Sequence, residues 1–240
     1  MPKLLFLDLE TSGLEEKDRL CELGLICEEE NKLEAYNSLC KSKKKISSEA
    51  MALHHITNES LEGAPSCEES KVYKVLQEYN NENNILICHN MKFSLDMLAK
   101  EGFSSKMRHI DTHRCTKALI QECGVFNLQF LRYELLLYKQ EEALAKEIGT
   151  HIQAHRAGSD ALHIKLLYAS LLEYATLSQL IEISSNPILL EKFPFGKYSG
   201  RYIEEIVQLE RGYLTWMRES IKDMDEDLAY SLHYYLEDNS

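Results

Sequence analysis

The stretch LLFLDLETSG, residues 4–13, is a short apolar run that ends in two acids and a polar turn. Residues 4–9 have the length and composition of a buried β-strand. Because side chains alternate along a strand, Asp8 and Glu10 are predicted to share one face, where the chain leaves the sheet through Thr11. Two carboxylates on one rigid strand end suit Mg²⁺ or Mn²⁺. The alternative is a pair of solvated acids near a strand end, which this two-residue spacing alone does not exclude.

The sequence around this strand predicts a sheet with helices packed on it. Residues 20–27 (LCELGLIC) and 33–40 (LEAYNSLC) alternate well enough to be its neighbouring strands, and residues 85–90 (ILICHN) again have a buried-strand pattern. Residues 66–79 have the spacing of an amphipathic helix, and residues 112–185 are nearly all helical in pattern. Three strands, a strand–helix alternation and a helical tail predict an α/β or α+β fold.

A second polar stretch, HRAGSDA, places His155 five residues before Asp160. Asp160 opens a long apolar-patterned helix and falls in its first turn, where the helix dipole alone would favour an acid. A loop that contains glycine would also let the His155 imidazole reach the same metal site. A histidine near its ordinary pKa of ~6.5 can take a proton from water at neutral pH. Together with Asp8 and Glu10, these two residues predict a metal-dependent hydrolytic site.

Composition limits the other functions that the chain can have. Its 240 residues contain 27 Lys and Arg against 39 Asp and Glu, a net charge of −12, which excludes a protein that binds nucleic acid through a broad basic surface. No segment reaches the ~18 consecutive apolar residues of a membrane span. The seven cysteines include no C-x-x-C pair, which argues against zinc and favours free thiols in a reducing cytoplasm.

Five segments resemble, in order and spacing, the blocks of the DEDDh 3′–5′ exonuclease superfamily, and they span about residues 3–175. They are DLETSGL, DRLCELGLI, ISSEAMALHHIT, ICHNMKF and HRAGSDA. The resemblance implies an RNase H-like mixed sheet flanked by helices, with two divalent cations, Mg²⁺ or Mn²⁺, at the active site. In that family the acids matching Asp8, Glu10 and Asp160 bind metal, and the histidine matching His155 is the general base.

The same resemblance implies a substrate and its binding residues. The positions matching Thr11, His54 and Phe93 line the pocket for the terminal nucleotide. The expected function is removal of nucleotides from single-stranded 3′ ends, DNA in repair or proofreading. An exoribonuclease would share this site, since it differs in its tolerance of the 2′-hydroxyl. A homodimer or a replication or repair protein as partner stays open.

One position departs from the family. The family motif that matches the ICHNMKF segment reads H-N-x-x-F-D, and its aspartate is a metal ligand. In this chain Ser94 follows Phe93, and Asp96 comes two residues later. On a helix, two residues rotate a side chain by about 200°, so Asp96 is a poor substitute. Three explanations remain: weakened metal binding, recruitment of Asp96, or a deliberate inactivating replacement. An alternative function is therefore a catalytically impaired exonuclease-like domain that binds nucleic acid or protein.

The remaining features are assigned structural roles or left open. Asp111 is predicted to cap the helix that follows it. His113, His151 and His163 lack acidic partners at ligand spacing, so they are assigned to the core or the surface. Residues 1–185 are predicted to form the exonuclease domain. Residues 186–240 are predicted to form a small α+β module with a hairpin and two short helices, similar to the one that follows the exonuclease domain in exonuclease X-like proteins.

Overall fold

A computed structural model describes residues 2–30 and 32–237. Within these residues the chain forms a mixed five-stranded sheet in the order β3-β2-β1-β4-β5. The first three strands are antiparallel, and β4 and β5 run parallel to β1. The strands are β1 (Leu4–Thr11), β2 (Leu20–Glu29), β3 (Lys32–Leu39), β4 (Ile85–Cys88) and β5 (Arg108–Asp111). The strand predictions are confirmed, except that β3 pairs with β2 and not with β1.

Ten helices cover the sheet and continue beyond it in the described chain. They are α1 (Ser48–His54), α2 (Lys71–Glu78), α3 (Met91–Ala99), α4 (Thr112–Leu119), α5 (Leu128–Glu134), α6 (Tyr138–Ile148), α7 (Ala157–Leu171), α8 (Leu177–Ser185), α9 (Ile203–Ser220) and α10 (Glu226–Glu237). The helix predicted over 66–79 begins only at Lys71 because the Ser70 side chain accepts a hydrogen bond from the backbone of Tyr73 and caps it. No helix among the residues described is long and apolar enough to cross a membrane.

Alternation along β1 separates two hydrophobic clusters and decides where the acids point. Leu5 and Leu7 pack on one face of the sheet with residues of α2 and α3. Phe6 packs on the other face, in the cluster that contains much of α7. Because Asp8 and Glu10 have the same parity as Phe6, they face α7, the helix that carries Asp160. The fold thus brings the two predicted halves of the site to the same side of the sheet.

The last part of the chain has a hydrophobic cluster of its own, which includes Phe193, Leu214 and Leu228. The predicted hairpin is reduced to one antiparallel bridge between Lys192 and Tyr202, closed by a 3₁₀ turn. The segment that follows contains α9 and α10, and the non-helical backbone of Glu210 divides α9 into two short helical parts. The separate cluster supports the predicted boundary at residue 186, which stays a prediction.

Candidate active site

Three carboxylates meet where β1 ends against the first turn of α7. Oxygens of Asp8, Glu10 and Asp160 all lie within 4.8 Å of one another, and no other such group of possible metal ligands occurs in residues 2–30 and 32–237. They line a cavity of about 210 Å³ together with His155 and His89. The four residues that sequence reasoning assigned to catalysis are therefore brought together around one opening.

The electrostatics of this cluster are unfavourable without a cation. Burial raises the pKa of Asp8 well above its usual range, and repulsion from Asp160 and Glu10 adds to the effect. Burial, followed by repulsion from Asp160 and Glu22, raises the pKa of Glu10 to about 8. A divalent cation would remove both penalties, because it compensates the charges that burial and proximity disfavour. Three hard oxygen donors in this geometry fit Mg²⁺ or Mn²⁺.

The HRAGSD segment folds tightly around Asp160. The His155 backbone adopts a left-handed conformation with φ of 57°, which is uncommon for a residue other than glycine. Its N–H donates to Asp160 Oδ2 at 3.1 Å. This hydrogen bond compensates for the strained turn, and His155 lines the same cavity as the carboxylates.

A buried ion pair that the sequence analysis missed holds this segment on the sheet. Glu22 is fully buried and lies opposite Glu10 in the register of the β1–β2 strand pair. It accepts hydrogen bonds from Arg156 Nε at 3.0 Å and Nη2 at 2.5 Å, from the Ala157 N–H at 3.0 Å, and from Asn37 at 2.9 Å. Because all these donors converge on Glu22, it serves as an anchor and not as a fourth metal ligand. An acid inside the apolar run of β2 was the available signal.

A second network fixes the other side of Asp160. Its Oδ1 accepts from Gln129 at 2.7 Å and lies 3.2 Å from His163 Nδ1. His163 Nε2 lies 3.0 Å from Glu141, which forms two 2.6 Å hydrogen bonds with Arg132. Although burial opposes ionisation, hydrogen bonds from Arg132 and His163 hold the pKa of Glu141 below its usual range. The prediction that His163 lacks acidic partners was wrong, since α6 supplies one and its own helix the other.

Ser94 lies on α3 and is buried. Its hydroxyl donates to the Asn90 carbonyl at 3.3 Å and contacts the Cys88 thiol. Burial raises the pKa of that thiol, and the charges of Asp111 and Asp8 add to the effect, whereas the hydrogen bond with Ser94 opposes it. Asp96 is exposed and lines two other cavities. This placement agrees with the helical rotation that made Asp96 a poor substitute.

The three predicted substrate residues do not line the carboxylate cavity. His54 is buried behind Thr11: its Nε2 donates to the Thr11 carbonyl at 3.2 Å and its Nδ1 accepts from Ile56. Phe93 lines a neighbouring cavity of about 550 Å³ with Leu14, whose side chain is 88% exposed. Sequence reasoning missed Leu14. The placement of His54 supports an indirect role, in which it positions the strand end and does not touch a nucleotide.

The predicted role of Asp111 as a helix cap is confirmed, and the same carboxylate also contacts the start of a second helix. Its carboxylate accepts from the backbone N–H groups of His113 and Arg114 at the start of α4. It also accepts from Asn90 and Met91 at the start of α3, at 3.1 and 2.9 Å. One carboxylate therefore fixes two helix N-termini, including that of the helix with Ser94.

Comparison with known proteins identifies the family. A model of the RNase T exonuclease family, described as "Exonuclease", matches residues 5–168. The chain belongs to this exonuclease family. A model of the exodeoxyribonuclease X-like C-terminal region matches residues 193–222. Both matches confirm the resemblance seen in the sequence.

Individual exonuclease relatives are distant but extensive. Exodeoxyribonuclease 10 of Escherichia coli (strain K12) is 25% identical over 237 residues, covering 98% of this chain and 99% of that protein. DNA polymerase III PolC-type of Thermotoga petrophila is 32% identical over 124 residues, 48% of this chain and 9% of that protein.

Solved structures share the fold. Exonuclease X in complex with 5′-overhanging duplex DNA has a TM-score of 0.53 at 20% identity and covers 77% of this chain and 99% of its own. The zinc-bound E. coli exonuclease I complex with single-stranded DNA also has a TM-score of 0.53, at 18% identity. The match covers 76% of this chain and 42% of that chain. The mixed sheet flanked by helices is thus the RNase H-like fold of these exonucleases.

Proposed function

We propose that this chain is a metal-dependent 3′–5′ exonuclease that removes nucleotides from single-stranded 3′ ends of DNA. The observation that carries the proposal is the convergence of Asp8, Glu10 and Asp160 within 4.8 Å, with His155 in the same cavity. The exodeoxyribonuclease 10 relative, similar over nearly the whole of both chains, supports DNA as the substrate. An exoribonuclease is a second candidate, because the same site would serve RNA.

Asp8, Glu10 and Asp160 would hold the cations, two Mg²⁺ or Mn²⁺ ions in the expected arrangement. Bound there, these ions would supply positive charge to the phosphodiester oxygens and lower the pKa of water. His155, which lines the cavity with the carboxylates, would take the proton from the attacking water, the usual task of a histidine general base. Glu22 holds the chain directly after that residue, through the Arg156 side chain and the Ala157 N–H.

The terminal nucleotide would be held beside the carboxylates by apolar contact. Leu14, three residues after the end of β1, and Phe93 line a second cavity, and an exposed leucine with a half-buried aromatic ring suits the face of a base. Thr11 is the last residue of the strand that carries Asp8 and Glu10, and its carbonyl is fixed by His54. Binding through such contacts tolerates any base sequence.

Ser94 supports reduced metal binding in comparison with family members that have an aspartate there. The three remaining carboxylates leave one cation site weaker than the other. This is the observation that favours the alternative function, a catalytically impaired domain that binds nucleic acid without cutting it. The retention of Asp8, Glu10, Asp160 and His155 in one cavity favours the active enzyme.

The proposal extends to the organisation and location of the protein. Residues 1–185 would be the exonuclease domain and 186–240 the C-terminal module. The seven cysteines are all free, which supports the cytoplasm, where thiols remain reduced.

The test is cleavage of a 5′-labelled single-stranded DNA oligonucleotide in Mg²⁺ or Mn²⁺. We expect products that shorten by one nucleotide at a time, and none in EDTA. Asparagine tolerates the left-handed backbone of residue 155, so His155→Asn should keep the fold and lower the rate by about 10²–10⁴-fold, the usual contribution of a general base. Binding of the oligonucleotide without cleavage, even at high Mn²⁺, would establish the impaired module instead, and an unimpaired His155→Asn would refute the general-base role.

A further inference from the structure

The turn formed by residues 192–202 differs in charge from the rest of the C-terminal segment, residues 187–240. It contains Lys192, Lys197 and Arg201 and no acid, whereas residues 187–240 carry six basic and eleven acidic groups, a net charge of −5. Lys197 and Arg201 have acidic neighbours only at 3.5 and 3.9 Å, in exposed pairs. Such pairs are weak and screened, so these cations remain accessible to an anionic ligand.

The same turn presents aromatic rings to solvent. The side chains of Phe195 and Tyr202 are 49% and 48% exposed. Tyr202 lies under the Lys192 ammonium, 5.3 Å from its ring centroid, and Phe195 leans on the buried Phe193. Rigidly supported, exposed rings interleaved with cations are the features of surfaces on which bases stack and phosphates bind.

This turn also borders a second cavity, and one segment of the chain continues from its lining into that of the carboxylate cavity. The cavity, of about 320 Å³, lies between Lys192 and Pro194 on one side and Lys117 and Phe126 on the other. Residues 127–129, which directly follow Phe126, line the carboxylate cavity.

A hydrogen bond connects a residue that lines one cavity with a residue that lines the other. The Phe126 carbonyl accepts from Nε2 of His89 at 2.7 Å, and His89 itself lines the carboxylate cavity. The segment 126–129 therefore contributes to both cavities and connects the basic and aromatic turn with the carboxylate site.

We propose that the 192–202 turn and its cavity bind the single strand that leads away from the nucleotide held at the carboxylates. Lys192 and Arg201 contact phosphates, and Tyr202 and Phe195 stack on bases. The inference rests on the proposed function for the identity of the ligand, a single-stranded nucleic acid. It explains how an acidic protein holds its substrate, with a small local patch in place of a basic surface.

The test measures binding apart from cleavage. Fluorescence anisotropy in EDTA compares labelled oligothymidylates of about 4 and about 16 nucleotides, the range of lengths that single binding modules cover. The variants are Tyr202→Ala, Arg201→Gln alone, and Lys192→Gln with Arg201→Gln. The control, Lys32→Gln with Lys146→Gln, removes the same charge from exposed positions on β3 and α6. Circular dichroism checks the fold of each, and Arg201→Gln alters only a half-exposed side chain.

We expect Tyr202→Ala to bind the longer strand about tenfold more weakly, which corresponds to loss of one stacked base. The double charge variant should reduce the slope of log affinity against log salt by about 1.4, or ~0.7 for each lost phosphate contact. The shorter strand and the control should be unaffected. Equal affinity and slope for all proteins, or no binding of the longer strand by the unmodified chain, would overturn the inference and leave a protein partner as the occupant.

The two proposals fail in distinguishable ways. If the unmodified protein cleaves DNA but the turn variants bind like it, the inference fails and the proposed function stands. If the turn variants lose binding but no cleavage occurs with Mn²⁺, the turn is a nucleic-acid site in an inactive domain.

Discussion

Gly24 on β2 lies directly beneath Ala157, the first residue of α7. A methyl group on Gly24 would stand 2.1 Å from the Ala157 carbonyl carbon, far inside van der Waals contact. The backbone of α7 can therefore approach the sheet only because residue 24 has no side chain. That approach sets the position of Asp160, three residues further along, relative to Asp8 and Glu10 on the adjoining strand.

The first prediction concerns this contact. Gly24→Ala should displace the start of α7, lower the free energy of unfolding by about 1–3 kcal/mol and weaken Mn²⁺ binding, because the clash is with backbone that cannot rotate away. Gly212→Ala is the matched control, since nothing lies within 4 Å of a methyl group there and alanine favours α9. Urea unfolding and calorimetric titration with Mn²⁺ measure both effects. If Gly24→Ala bound Mn²⁺ normally, the close approach would not be what places Asp160.

The second prediction is a pH dependence that Glu10 creates. Without a cation, burial and neighbouring carboxylates raise the pKa of Glu10 from 4.5 to about 8. Between these values the folded protein retains a proton that the unfolded chain has lost, so the free energy of unfolding falls as pH rises. At pH 8 in EDTA, Glu10→Gln should be more stable than the unmodified protein by at least ~1.4 kcal/mol, the equivalent of one pKa unit. Towards pH 4.5 the difference should shrink.

Thermal unfolding across this pH range measures the effect of Glu10, at about 2–4 °C for each kcal/mol in a chain of this size. Glu142→Gln, an exposed change on α6, is the control. Added Mn²⁺ should raise the melting temperature of the unmodified protein more at pH 8 than near pH 5. A melting temperature independent of pH in EDTA would mean that the carboxylates do not repel one another as the geometry indicates.

The third prediction tests the position of Ser94. Ser94→Asp should increase the affinity for Mn²⁺ by at least ~10-fold, comparable to the gain from a good supporting group around a metal ligand. Without metal the new buried carboxylate should lower the stability, and Mn²⁺ should restore it. Ser94→Asn introduces a side chain of the same shape as aspartate but without its charge. It should therefore neither increase the affinity for Mn²⁺ nor make the stability depend on Mn²⁺. If Ser94→Asp gained neither affinity nor cleavage, Ser94 would not occupy the place of the family aspartate.

The fourth prediction separates positioning from stability at Arg156. Arg156→Gln leaves Glu22 buried without its counter-ion and should destabilise the fold by about 3 kcal/mol. Adding Glu22→Gln removes the uncompensated charge, so the double variant should recover most of that stability. Cleavage should stay impaired in both, because the segment that carries His155 has lost its anchor. An active double variant would show that the ion pair contributes to stability alone.

The sequence determined the strand of Asp8 and Glu10, the parity that puts them on one face, the helix of Asp160 and the cap at Asp111. These follow from local rules: alternation in strands, periodicity in helices and side-chain capping. The five blocks also determined the family. The helix boundary near residue 70 was less accurate, because the side-chain cap at Ser70 decides it.

Tertiary structure alone decided which side chains meet. The pairing of Glu22 with Arg156 joins residues far apart in sequence, and the contact of His163 with Glu141 depends on how α6 packs against α7. No spacing rule reports such contacts. The close approach over Gly24 has the same origin: a glycine inside a strand shows its use only when the helix above it is in place.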